Sequence, residues 1–250
     1  MMDWLVMDWL GMDWLGMDRL VMDWLGPDEW RAVALSLKVA FWATLLSIPV
    51  ALGVALLLAR GRFVGQGLLN TVVHLPLVLP PVVTGYLLLI AFGPQAPLGM
   101  FLEAIGLPLA FRWTGAALAA AIMAFPLMVR AMRLAIEAVD PKLEEAAATL
   151  GAGRLRVFAS VTLPLSLPGI IAGAVLGFAK AMGEFGATIT FVSNIPGETQ
   201  TIPSAIYAFL QVPGGEASAL RLVMVSILIA FGALAASEWL ARRATRKLGA

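Results

Sequence analysis

Five long apolar runs, parted by shorter polar stretches, set the pattern of this chain: residues 32–59, 68–92, 114–133, 165–183 and 219–240. A bilayer core takes about 20 consecutive, mostly apolar helical residues to cross, so each run predicts one transmembrane helix. Lys38, His74, Lys180 and Glu238 are the ionisable residues inside these limits that ask for an account. Lys38 and Glu238 lie near run ends, from which a long side chain reaches the interface. The stretch "TIPSAIYAFLQVPGG", 201–215, is also apolar, but its uninterrupted part, Ser204 to Val212, is too short to span. It predicts a short helix in a loop, dipping toward the membrane.

Composition agrees with that pattern. The 250 residues are 60% hydrophobic and 13% charged, with a mean hydropathy of +0.90. Such values belong to a polytopic all-α membrane protein. Cysteine is absent and histidine occurs once, which excludes disulfides and thiolate chemistry and leaves no material for a histidine-rich metal centre. No catalytic residue and no metal ligand is assigned. A Gly-x-x-x-x-Gly-Lys-Ser/Thr loop is missing, so the chain has no P-loop cradle for ATP. The distribution of charge matters more than its sum. If the polar loop 134–164 is cytoplasmic, that side collects Arg60, Arg62, Arg130, Arg133, Lys142, Arg154, Arg156, Arg242, Arg243, Arg246 and Lys247. The opposite side holds Arg19, Arg31, Arg112 and Arg221. Eleven against four predicts an external N-terminus and a cytoplasmic C-terminus. The basic residues follow the membrane, and no nucleic-acid partner is expected.

Residues 1–26 form a separate, repetitive tail. From Met2 it reads MDWLV, MDWLG, MDWLG, MDRLV, MDWLG. Each copy turns by about 140° on a helix, so its Asp residues scatter around the circumference and no apolar face forms. The tail lacks the basic start and unbroken apolar core of a signal peptide. It reads as a slipped coding repeat or a start placed too early, with Met22 the later start; a membrane-surface element using its Trp residues is the other reading. It is given no function.

The polar loop holds a carefully punctuated helix. Asp140 suits an N-cap, Pro141 the first helical position, and Gly151 the left-handed residue beyond the C-terminus. Leu143, Ala146, Ala147 and Leu150 fall at i, i+3, i+4 and i+7, one narrow apolar stripe, with Glu144 and Glu145 off it. A second helix over 153–161 runs up to Leu163-Pro164 and the next span. Such a knob fits a groove in a partner protein. A helix lying on the membrane surface is the competing reading, although that role favours a broad apolar face ringed by Lys and Arg.

The segment "EAAATLGAGRLRVFASVTLP" resembles the EAA loop of ABC-importer permeases, with Glu145, Ala146, Ala147, Gly151, Val161, Leu163 and Pro164 at matching spacings. Three further stretches are similar to the molybdate ABC-transporter permease family: "HLPLVLPPVVTGYLLL" (74–89), "FPLMVRAMRLAIE" (125–137) and "GEFGATITFVSNIPGETQTIPSAIY" (183–207). The likeness runs from about residue 27 onward, making 27–250 one permease domain with a coupling loop at about 134–164. The resemblance implies five transmembrane helices of the type I importer kind and a homodimer. Two ABC ATPase subunits, carrying the ATP and Mg that this chain does not bind, would dock on the cytoplasmic coupling helices. A periplasmic or extracellular molybdate-binding protein would deliver molybdate, or tungstate, to the other face of the inner membrane. The coupling residues implied are Leu143, Glu144, Glu145, Ala146, Ala147, Leu150, Gly151 and Arg154. The chain itself would be no enzyme.

Chemistry suggests a path. Pro76, Pro80 and Pro81 interrupt the second run and free backbone carbonyls, as Pro126 does in the third. Interrupted helices often line a substrate route, which favours Pro80, Pro81, Thr84 and Gly85. A kink serving only packing is the alternative, and for Pro126 an equal one. An oxyanion needs weak donors, for which Thr84, Thr188, Thr190, Ser193, Asn194 and glycine amides qualify. Lys180 and Glu184, one turn apart, are expected to pair, either as structure or to give the path positive potential. Gly169, Gly173 and Gly177 form a small-residue stripe for close contact within the subunit or across a dimer. His74 reads as packed or backbone-bonded rather than as a ligand. Sulfate is the substrate alternative. A membrane enzyme would need polar or acidic residues clustered at one depth, which are not evident, and a passive scaffold would not answer an ATPase.

Overall fold

The computed structural model describes residues 24–247, so all but the end of the repetitive tail lies outside the described residues. Ten helices account for the ordered elements among them: α1 Pro27–Arg60, α2 Gln66–Val78, α3 Pro81–Phe92, α4 Pro97–Ala104, α5 Trp113–Glu137, α6 Pro141–Thr149, α7 Arg154–Met182, α8 Gly186–Val192, α9 Ile202–Leu210 and α10 Glu216–Lys247. Helices α1, α5, α7 and α10 are long and apolar enough to cross a bilayer. The second apolar run is not the single span its hydropathy predicts. It forms α2 and α3, bent by 112°. Pro80 and Pro81 supply no N–H at the break, and Leu79, which precedes them, is extended (φ −70°, ψ 141°). Counting the bent pair as one crossing gives the five expected.

Helix α5 is the axis of the bundle, packed against α1 on one side and α7 on the other. The N-terminal half of its buried face is rich in alanine: Ala116, Ala117, Ala119, Ala120 and Ala124. Small side chains let helices approach closely where lipid gives no hydrophobic drive for association. The glycine stripe of α7 settles on this helix, within the subunit. A Cβ at Gly169 would fall 2.2 Å from Ala135 Cβ, and one at Gly177 2.5 Å from Met128 Cγ. The outward faces of α1 and α10 stay apolar, with Phe41, Leu46 and Val50 on one and Ile227, Leu228 and Phe231 on the other exposed for hydrocarbon to cover.

Helix α7 joins two elements expected to be separate. The short helix after the polar loop continues into the span through a π turn, Phe158–Thr162. Pro164 has no N–H to return to the carbonyl one turn earlier, and the chain widens its turn there instead of breaking. The stretch 201–215 forms the short helix α9, pinned where Ile202 N donates to Ser36 Oγ of α1 at 2.7 Å. Ala32, Val33, Ile202, Ala205 and Leu222 close a core where α1, α9 and α10 meet.

Candidate coupling surface and translocation path

Helix α6 forms as its caps dictate. Asp140 Oδ1 accepts from Lys142 N at 2.9 Å, and Pro141 takes the first position. At the other end Gly151 is left-handed (φ 84°). Gly151 N donates to Ala148 O at 3.0 Å and Ala152 N to Ala147 O at 3.2 Å, the paired bonds of a Schellman close. No residue of α6 is buried. Leu143 is 49% exposed and Leu150 89%; Glu145, Ala146 and Arg154 are exposed, and Ala147 is half-buried. Large exposed apolar side chains on a doubly capped helix mark α6 as a candidate interaction surface. Leu155, 84% exposed at the start of α7, extends this surface. The sequence pattern missed it because it stands outside the i, i+3, i+4, i+7 stripe.

The two glutamates of α6 part company. Glu145 faces outward. Glu144 turns inward, where its Oε1 accepts from Thr162 Oγ1 at 2.7 Å and from Arg60 Nη2 at 3.2 Å. Arg60 entered the sequence reading only as a topogenic charge, and Thr162 not at all.

The residues expected along the path are brought together in part. At the crossing of α3 and α8, Gly85 lies so close to the neighbouring backbone that a Cβ would sit 2.4 Å from Ala187 O and 2.9 Å from Thr190 Cβ. Gly186 likewise faces Pro81. Pro80 and Pro81 are exposed at the break, whereas Thr84 and Gly85 are buried. Two of the expected donors are already committed, because Thr188 Oγ1 donates to Phe185 O at 2.9 Å and Thr190 Oγ1 to Gly186 O at 2.8 Å. Thr84 Oγ1, a hydroxyl able to donate, is buried without a partner, as is Asn194 Oδ1, which can only accept. Ser193 beside Asn194 holds a strained backbone (φ 67°, ψ −163°).

Lys180 Nζ and Glu184 Oε2 meet at 3.0 Å as the spacing predicts. The Glu184 side chain is almost wholly buried, and its Oε1 also accepts from Ala187 N at 3.0 Å, tying the start of α8 to the end of α7. His74 Nδ1 lies 2.8 Å from Asn70 O, a backbone-bonded histidine. Lys38 extends over the ring of Trp113, the first residue of α5, 3.7 Å from its centroid. A cavity of about 740 Å³, almost wholly apolar, lies between α1, α2 and α5, lined by Trp42, Val73, Trp113 and Phe125 among others. It holds none of the expected oxyanion donors.

With this geometry in place, comparison with known proteins is specific. The family model described as "Binding-protein-dependent transport system inner membrane component" matches residues 47–246. The molybdenum transport system permease protein ModB of Escherichia coli (strain K12) is 60% identical over 226 residues, covering 90% of this chain and 99% of the relative. The sulfate transport system permease protein CysT of Salmonella typhimurium is 36% identical over 208 residues, covering 82% and 75%. A solved bacterial ABC transporter involved in the import of the acidic polysaccharide alginate superposes with a TM-score of 0.70 at 20% identity, covering 96% of this chain and 90% of the other. At that identity the likeness is one of fold.

Proposed function

Because the chain belongs to the family of binding-protein-dependent transport system inner membrane components, we propose that it is the membrane-spanning subunit of an ABC importer for molybdate, with tungstate as a second cargo. The observation that carries the substrate is the 60% identity to a molybdenum permease along almost its whole length, against 36% to the sulfate relative. The chain is a multi-pass inner-membrane transporter subunit rather than an enzyme.

The capped helix α6, with its unburied stripe, supports a cytoplasmic ATPase as its missing partner. Two ATPase subunits holding ATP and Mg dock on the α6 helices of a homodimer, and a binding protein delivers the oxyanion on the opposite side. ATP binding draws the two coupling helices together and turns the path outward; hydrolysis resets it. The N-terminus is external and the C-terminus cytoplasmic, in keeping with the eleven-to-four bias of basic residues. Along the path Thr84, Asn194 and Lys180 offer weak donors and positive potential, enough to pass a dianion without trapping it, while Pro80, Pro81, Gly85, Glu184, Thr188 and Thr190 shape the wall.

Uptake of molybdate is measured in cells that lack their own molybdate importer and are supplied with this chain, its ATPase and its binding protein. Uptake blocked by tungstate and indifferent to excess sulfate is the expected result. Equal competition by sulfate moves the protein to the sulfate branch, and no energy-dependent uptake of either ion overturns the reading.

A further inference from the structure

Helix α6 is held to the rest of the bundle by few contacts, and its hydrogen bonds to the bundle converge on Glu144 Oε1. Thr162 Oγ1 donates to that oxygen at 2.7 Å and Arg60 Nη2 at 3.2 Å. The same Nη2 donates to Ile136 O at 3.1 Å and Val139 O at 2.9 Å. Four parts of the fold therefore meet within one cluster: the last residue of α1, the end of α5 with the residues after it, the coupling helix, and the π turn of α7.

The chemistry suits a part that must transmit and also give. The side chains of Arg60 and Glu144 are 27% and 21% exposed, so their pairing is less screened than a surface salt bridge. One guanidinium nitrogen has two hydrogens, yet Nη2 serves three acceptors. One of its contacts can lengthen while the others hold. Arg60 Nε is buried without a partner, so nothing further locks the guanidinium. Thr162 is buried and belongs to the π turn itself, a local widening of α7 of the kind frequent at functional sites. Glu144 is thus fastened to the π turn of the following span.

We infer that Arg60, Glu144 and Thr162 form the joint through which displacement of α6 is passed to α1, α5 and the π turn of α7. The inference rests on the importer function proposed above. All three are positioning residues that touch neither substrate nor nucleotide, and their role is to make movement of the docked partner move the membrane helices.

The test uses the complete transporter in proteoliposomes, with molybdate uptake and phosphate release counted on the same vesicles. Thr162→Val removes a hydroxyl at nearly constant volume, Thr162→Ser keeps it, and Glu144→Gln keeps the shape while dropping the charge. In Glu144→Gln and Thr162→Val the ATPase still copurifies. Molybdate moved per ATP is expected to fall about tenfold in Glu144→Gln and about threefold in Thr162→Val, with Thr162→Ser restoring the ratio. An unchanged ratio overturns the joint. So does loss of the ATPase, or a parallel fall in uptake and hydrolysis, since either marks a docking or folding defect. Failure of the unaltered complex to move molybdate removes the substrate reading as well, whereas normal uptake with unaltered ratios in the variants removes the joint alone.

Discussion

Glu29 and Arg221, 192 positions apart, meet as a two-pronged ion pair at the end of the bundle opposite α6, with Arg221 Nη2 2.6 Å and Nε 3.1 Å from Glu29 Oε1. Glu29 also accepts from Gly26 N at 2.7 Å, and Arg221 Nη2 donates to Ser218 Oγ at 2.9 Å. The pair fastens the start of α1 to the start of α10 beside the core of Val33, Ile202 and Leu222. Its members are unequally exposed, the glutamate side chain at 3% and the arginine at 29%. Removing the arginine strands a carboxylate away from water, whereas removing the glutamate leaves a guanidinium that can rehydrate. Arg221→Met is therefore expected to destabilise the chain more than Glu29→Gln. Thermal unfolding of the detergent-solubilised chain reads both, and equal losses would count against this asymmetry.

At the scale of elements, close helix crossings rest on glycines whose tolerance differs for a physical reason. A Cβ at Gly85 meets the backbone of Ala187, and one at Gly169 meets the short, immovable Ala135 Cβ, so the helices themselves must separate. At Gly177 the obstacle is the flexible Met128 side chain, and at Gly53 nothing lies within 4 Å. Gly85→Ala and Gly169→Ala should each lose roughly 1 to 3 kcal/mol, Gly177→Ala less, and Gly53→Ala nothing; unfolding midpoints give the order. The glycine stripe of α7 was legible from its spacing of four, but not its partner, because spacing does not say which neighbouring helix fills a groove. Helix boundaries at Asp140, Pro141 and Gly151 were legible because capping is local chemistry. The 112° bend between α2 and α3 was not, since two prolines announce a break without fixing its angle. The pairing of Lys180 with Glu184 was visible one turn apart in sequence, while Arg60 with Glu144 needed the fold to bring α1 beside the coupling helix. Thr188 and Thr190 illustrate a further limit, for composition marks a hydroxyl as a donor but not the carbonyl that already accepts from it.

Taken as a whole, the molecule is a membrane bundle with one doubly capped helix, α6, that has no fully buried residue and touches its own chain mainly through Glu144 and Ala147. Exposure therefore separates two effects that usually travel together. Leu150 is 89% exposed, so replacing it removes almost no packing from the free subunit. In a complex it would enter a partner groove together with Leu143 and Leu155, where a centrally buried side chain contributes about 2 kcal/mol or more, roughly a thirtyfold change in affinity. Leu150→Asp should accordingly leave the unfolding midpoint of the isolated chain unmoved while the ATPase no longer copurifies. Gly151→Val acts differently. Its left-handed backbone (φ 84°) resists a β-branched residue, so the cap at Ala147 and Ala148 loosens and the knob loses its shape before it meets the partner. Titrating the ATPase against each variant in detergent distinguishes the two cases. Leu150→Asp is expected to weaken binding with α6 intact, and Gly151→Val to weaken it with raised hydrogen exchange across Pro141–Thr149. If Leu150→Asp binds the ATPase as tightly as the unaltered chain, α6 is not the docking surface and the exposed leucines face something else.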